Sequence, residues 1–283
     1  MDSLIPKVRV TAALLAWHQA LADCLANLQT ADFCKDLLKA LQVLLSAKNE
    51  LSALLGLECK GEPPRLLYHC GIAQAYQETL LERYYKRGYL LDPFCLAVDN
   101  GLAEGFYPLA SIAPDDFFHS EYYRVYYQRT GSMEDAHFIV DLADGRKLSL
   151  CVFQGQSCAR FSKRELALLQ SAWPLLRELL RQFDQQGGLR ACLGAQQVNL
   201  PNASHDALED KIRGAFNHFQ HSHLTEREQQ VAHLLLCGHS VKSSAKQLAI
   251  SPETVRMHRK HLYSKLKIGS QAELFALFIA SAA

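Results

Sequence analysis

Residues 224–280 read LTEREQQVAHLLLCGHSVKSSAKQLAISPETVRMHRKHLYSKLKIGSQAELFALFIA, and the part after Ser251 decides how the rest is taken. At about 100° per residue, Val255, Leu262 and Leu266 fall in one narrow seam. Glu253, Arg256, Met257, Lys260 and Ser264 fall on the opposite arc. Thr254, His258, His261 and Lys265 form one flank, and Arg259 and Tyr263 form the other. The seam would dock the helix on its own module. The broad face of long, mostly basic side chains suits a DNA major groove about 12 Å wide.

The surrounding residues punctuate a four-helix unit. Thr225 with Glu228 three positions later predicts an N-cap and capping box. Val231, Leu234 and Leu235 give the first helix its stripe, and Gly238 is placed to close it in a left-handed conformation. A second helix is expected from Val241 to Leu248, with Ala245 and Leu248 inward. Ala249-Ile250 form the turn, Ser251 caps the third helix and Pro252 takes its first position, where a missing N–H is harmless. Gly269 is expected to end that helix. A fourth, from Gln271 to Ser281, carries Leu274, Phe275, Leu277, Phe278 and Ile279. These cover more than one face, which predicts a second partner beyond the module itself.

A plain helical bundle with a solvated charged helix would share the seam and the caps. The residues Leu224, Thr225, Arg227, Glu228, Val231, Gly238, Ala245, Leu248, Ile250, Ser251, Thr254, Val255, His258, Leu262, Lys265 and Leu266, at this spacing, separate the two readings. The segment closely resembles the LuxR-type helix-turn-helix, also found in NarL/FixJ response regulators. Ser243 and Ser244 depart from the family's usual acidic residue and Ile. The resemblance implies a bacterial, cytoplasmic transcription factor that binds double-stranded DNA and contacts RNA polymerase. It implies that the fourth helix joins two subunits, so the operator would be an inverted repeat. By position in the matched family and by the wheel, Arg256, Met257 and Lys260 are expected at base edges, and Thr254, His258, Arg259 and Lys265 at phosphates.

Charge is distributed to match. The chain of 283 residues is near neutral overall. Residues 219–283 nevertheless hold eight Lys/Arg against four Asp/Glu, leaving 22 against 25 elsewhere. The positive excess sits where nucleic acid would be met. The nine cysteines form no CxxC pair, which argues against a zinc site or a disulfide framework and for a reducing compartment. No metal and no cofactor is expected. Apolar runs break before 18 residues, so no membrane span is expected. There is no Gly-rich phosphate loop, HExxH or nucleophile elbow, which argues against an enzyme.

Length suggests a larger domain at 1–185, a linker at 186–218 and the helix-turn-helix domain at 219–283. Helices are expected at 10–30, 31–47 and 73–87, and strands near Leu51–Cys59, Arg65–Cys70, 135–142 and 147–154, the last two joined by a hairpin at Asp144-Gly145. The stretch 91–114 reads as loop. Residues 115–129 read as an aromatic helix capped by Asp115 or Asp116. A long helix follows Ser162, kinked at Pro174. This order predicts an α+β sensor, an antiparallel sheet flanked by helices, of the GAF or PAS kind. It lacks the opening acidic strand of a receiver.

The stretch YYKRGYLLDPF is similar to the aromatic-plus-DP segment of the acyl-homoserine-lactone pocket in LuxR-type sensors. The only tryptophans, Trp17 and Trp173, lie far from it, so the effector is not expected to be an acyl-homoserine lactone. Tyr84, Tyr85, Tyr89, Asp92, Phe94, Phe118, Tyr122 and Tyr126 are the expected pocket residues, with Phe117, Tyr123 and Tyr127 beside them. Aromatics at helical spacing also serve as ordinary core. The function expected is small-molecule-controlled transcription. The alternative is a regulator whose N-terminal domain binds a protein partner. The helix after Ser162 is expected to carry the effector's influence to the reader.

Overall fold

The computed structural model describes residues 12–45, 51–155, 159–195, 211–212, 214 and 224–280. Five strands form one antiparallel sheet: β1 (Leu51–Glu58), β2 (Arg65–Cys70), β3 (Gly105–Pro108), β4 (Asp135–Asp141) and β5 (Lys147–Gln154), in the order β2-β1-β5-β4-β3. Successive side chains on a strand face opposite ways, so two residue sets share each strand. Ala53, Leu55 and Leu57 of β1, Ala136, Phe138 and Val140 of β4, and Leu148, Leu150 and Val152 of β5 make one buried face. Helices cover it: α1 (Ala12–Ala26), α2 (Asp32–Leu44), the long helix Lys163–Gln185 and the helix Gly188–Ala195. Phe33 of α2 stacks on Phe183 with centroids 4.5 Å apart.

The opposite face carries Leu54, Gly56 and Glu58 of β1, Ser149, Cys151 and Phe153 of β5, and Asp135 and His137 of β4. It is roofed by helical segments rich in tyrosine. Gln74–Gln77, Glu78–Arg83 and Tyr84–Lys86 run on from one another, with a π-helical middle. The stretch expected as loop holds α3 (Pro93–Asp99) and the edge strand β3. Asp92 caps α3, its Oδ1 accepting from the Phe94 and Cys95 amides at 2.7 and 3.3 Å. Asp-Pro at a helix start gives cap and first residue together, a reading that competes with turn chemistry for the same dipeptide.

The cap of the aromatic segment is also corrected. Ser120, not Asp115 or Asp116, accepts from the Tyr123 amide at 3.1 Å, and Arg124–Gln128 continue as a π-helix. The hairpin between β4 and β5 turns at Gly145, φ 83°. The long helix, α4 (Lys163–Gln185), starts from a Ser162/Glu165 capping box and runs through Pro174. Within the stretch expected as linker, α5 (Gly188–Ala195) buries Leu189 and Cys192 in the sensor core.

The reader forms α6 (Glu226–Leu236), α7 (Val241–Gln247), α8 (Pro252–Leu266) and α9 (Gln271–Ala280). Thr225 and Glu228 complete the expected capping box. Gly238, φ 88°, closes α6: its N–H reaches the Leu235 carbonyl and the His239 N–H the Leu234 carbonyl. Ser251 accepts from the Thr254 amide at 3.1 Å. Helix α8 ends on Lys267 in the left-handed conformation, φ 56°, two residues before the expected Gly269. Among the described residues, no helix is long and apolar enough to cross a membrane.

Candidate functional site

Helix α8 presents the division its sequence implies. Val255 and Leu262 are fully buried, while Arg256, Met257 and Lys260 are exposed. Thr254, His258 and Arg259 are half-buried on the flanks. Arg256 rests on Glu253 at 2.8 Å. Lys265 is tied into the module: its Nζ donates to Glu228 Oε2 at 2.7 Å. That carboxylate also accepts from the Thr225 amide at 2.8 Å. Burial of Glu228 would raise its pKa, but Lys265 and Thr225 hold it below the usual carboxylate range. Lys265 thus braces α8 against α6 as well as standing on the outer flank.

The second site lies inside the sensor. A cavity of about 70 Å³ separates the polar face of the sheet from the tyrosine roof. Tyr84, Tyr85, Asp92, Tyr122 and Tyr126 of the expected set line it, together with Tyr127. Tyr89, Phe94 and Phe118 lie outside it. Phe94 stacks behind His137 at 3.6 Å, and Phe118 packs on Phe117 and Tyr123. Gly88 admits the roof, since a Cβ there would stand 2.5 Å from the Tyr126 hydroxyl.

Asp92 has all its bonding committed. Besides the two amides on Oδ1, its Oδ2 accepts from the hydroxyls of Tyr84 at 3.0 Å and Tyr122 at 3.1 Å. Four groups of the sheet face that sequence reading did not single out complete the site: Glu58, Asp135, His137 and Cys151. Their sign in the sequence is a polar residue here and there on the side opposite the apolar set: Glu58 on β1, Asp135 and His137 on β4, and Ser149 and Cys151 on β5. His137 donates or accepts at Ser149 Oγ through Nδ1, 2.9 Å, and lies 3.4 Å from Asp135 Oδ2 through Nε2. Tyr127 donates to that same Oδ2 at 3.1 Å, and Cys151 Sγ approaches it at 3.6 Å.

Burial pushes Glu58 up to about 7 and raises Asp92 despite its partners. Burial would lower His137, but Asp135 beside it, with Asp92 and Glu58 nearby, holds the imidazole above its ordinary value. Asp135, His137 and Cys151 offer ligand atoms that all lie within 4.8 Å of one another, close enough that the three could hold a metal ion.

Sensor and reader share one apolar cluster. Asp115 accepts from the Ser240 amide at 3.0 Å and from its hydroxyl at 2.6 Å. The Asp116 amide donates to the Gly238 carbonyl at 2.9 Å. Arg87 Nη1 donates to the Phe278 carbonyl at 2.9 Å, its guanidinium lying over that ring. Leu274, Phe275 and Phe278 of α9 are buried, and α9 packs on the sensor's Glu121–Tyr123 turn. The two parts therefore meet directly through the aromatic segment, while α4 packs on the sheet and α5.

The reader's residues 222–278 match the model of bacterial regulatory proteins of the luxR family. Over 188 residues the chain is 38% identical to the HTH-type transcriptional regulator named for the exeN 3' region of Aeromonas salmonicida, covering 66% of this chain and 93% of that protein. The chain belongs to the LuxR family of transcriptional regulators. As a LuxR-type regulator it binds DNA through this domain. Over 51 residues it is 47% identical to the transcriptional regulatory protein UhpA of Escherichia coli (strain K12), 18% of this chain and 26% of that one. The N-terminal part is similar in structure to the VqsR LBD domain from Pseudomonas aeruginosa, with TM-score 0.50 and 26% identity over 60% of this chain and 98% of that one.

Proposed function

We propose that this LuxR-family regulator is controlled by a small molecule bound in the sensor cavity. The observation that carries the reading is the cavity itself: a buried pocket with polar groups converging from the sheet and tyrosines closing it. The likeness to a solved LBD domain supports it. We read the sensor as of the GAF/PAS kind and the effector as something other than an acyl-homoserine lactone. The protein-binding alternative has no comparable observation behind it.

Arg256, Met257 and Lys260 read base edges, and Thr254, His258, Arg259 and Lys265 contact phosphates. Two chains pair through α9 on an inverted repeat, next to RNA polymerase. Part of α9 is covered by the sensor here, so pairing through that face requires the Arg87–Phe278 contact to open.

The aromatic segment couples the two sites. Tyr122, Tyr126 and Tyr127 roof the cavity, and Phe117, five residues before Tyr122, packs where Gly238 leaves room. A ligand that favours one roof arrangement shifts the docking of the reader, and linkage makes the effect reciprocal. Titrating effector with and without operator DNA tests this. Effector affinity should differ between the two titrations by the factor by which effector changes DNA affinity. Equal affinities would remove the coupling.

A further inference from the structure

The cavity contains two aspartates with different standing. Asp92 accepts four hydrogen bonds from within the protein, two from amides and two from phenols. Its work is to cap α3 and to fix Tyr84 and Tyr122. Asp135 is bonded only on Oδ2. Its Oδ1 is buried and has no hydrogen-bond partner among the described residues. A buried carboxylate oxygen without a donor is costly, and a ligand donor at that point removes the cost.

The charge balance specifies what kind of donor. Among the described residues, three carboxyl groups line the cavity, Glu58, Asp92 and Asp135, against one imidazole, His137, and no Lys or Arg. By residue type alone the lining therefore holds more acids than bases. The roof supplies phenol rings that attract a cation: Tyr122 and Tyr126 have centroids 4.8 Å apart, and Tyr84 and Tyr126 6.0 Å. Size limits the rest. An apolar cavity of about 150 Å³ accepts benzene, and this one is about 70 Å³.

Resting on the reading of this cavity as the effector site, we propose that it takes a small protonated amine with a short apolar body, its ammonium seated on the Asp135 carboxylate, which turns Oδ1 toward it, beneath the tyrosine roof. Anions are repelled by the lining. Neutral amides satisfy Oδ1 and leave the charge uncompensated.

The test uses the full chain in EDTA-containing buffer at neutral pH, with three small probes: ethylamine, acetamide and acetate. Melting temperature is followed against probe concentration up to about 10 mM, where binding to the folded state raises it by mass action. The amine should stabilise the chain with an affinity at least about tenfold above either other probe. Asp135→Asn should reduce that preference to near parity. If acetamide or acetate binds as tightly as the amine, the cation assignment is overturned while the cavity remains an effector site. If none of the three binds, the effector-site reading falls with it. An amine preference that survives in Asp135→Asn overturns the seat. The comparison of the three probes on the unaltered chain stands whether or not that variant folds.

Discussion

Helix α8 and strand β4 both alternate apolar with polar residues, at periods of 3.6 and 2, and they send the polar residues to opposite places. On α8, Val255 and Leu262 go inward while Arg256, Met257 and Lys260 go to solvent. On β4, Ala136, Phe138 and Val140 pack on one layer, and Asp135 and His137 are also buried, beneath the other. A polar stripe on an element with one free face marks a surface. A polar stripe on an element covered on both faces marks an interior site. The reader thus aims charge outward at a charged polymer, and the sensor aims it inward at a small space.

The contrast breaks most visibly where the two regions touch. Gly238 holds φ 88°, and a Cβ there would stand 2.6 Å from Phe117 Cα, a backbone atom. Gly238→Ala combines left-handed strain with a clash between the layers, together about 2–5 kcal/mol. Urea denaturation should show that loss, and an isolated reader domain carrying the same change should lose only the strain. An equal loss in both would mean that the docking contributes nothing.

The next effect is a pH signature of the inward-facing charge. Glu58 is raised by burial from an ordinary 4.5 to about 7. A folded state that holds its proton longer than the unfolded chain loses stability as pH rises through that window. Between about pH 4.5 and 7 the loss from this group is on the order of 3 kcal/mol. Glu58→Gln should flatten the stability profile there. A profile unchanged by the substitution would show that Glu58 titrates normally.

The reader was legible in the sequence because its helices keep a solvent face, so wheel, caps and Gly238 all point one way. Lys267 was not, since a lysine in a left-handed cap carries no compositional mark. The sensor's strands were legible from the same alternation that hid their role. Nothing in the alternation itself says that the side bearing Asp135 and His137 is covered by the tyrosine roof. Asp92 drew notice through its Asp-Pro neighbourhood and is an N-cap. The contacts between the two regions join residues more than a hundred positions apart, such as Asp115 with Ser240 and Arg87 with Phe278. No local pattern encodes such a pairing.

On the outward side, Arg256→Ala should leave the fold intact, since the side chain is exposed and, among the described residues, bonded only to Glu253. It should flatten discrimination at one operator base by about 1–3 kcal/mol. Lys265→Ala should behave differently, because it leaves the buried Glu228 without its cation as well as removing the proposed phosphate contact. Binding titrations across operator variants, with parallel melting curves, separate the two. Equal melting temperatures for both variants would place Lys265 among the purely external residues.

The smallest effect lies at the rim of the contact. Asp115 is exposed; what burial it has pushes its carboxyl up, but its two bonds from Ser240, with Ser243 and His239 beside them, together hold it below the ordinary range. A carboxylate depressed by docking stabilises the docked arrangement above its undocked pKa, and that stabilisation is lost as pH falls through the depressed value. The reader should therefore loosen from the sensor in acid, and Asp115→Ala should loosen it at every pH and remove this acid limb. Ser240 also caps α7, accepting from the Ser243 amide at 3.1 Å, so altering Ser240 would confound docking with helix stability. Asp115 carries the cleaner test. Hydrogen exchange at the Ser240 amide, whose acceptor is Asp115, reports on the contact directly. Exchange that speeds up equally in the unaltered chain and in Asp115→Ala as pH is lowered, after correction for intrinsic rates, would assign the acid response to another group.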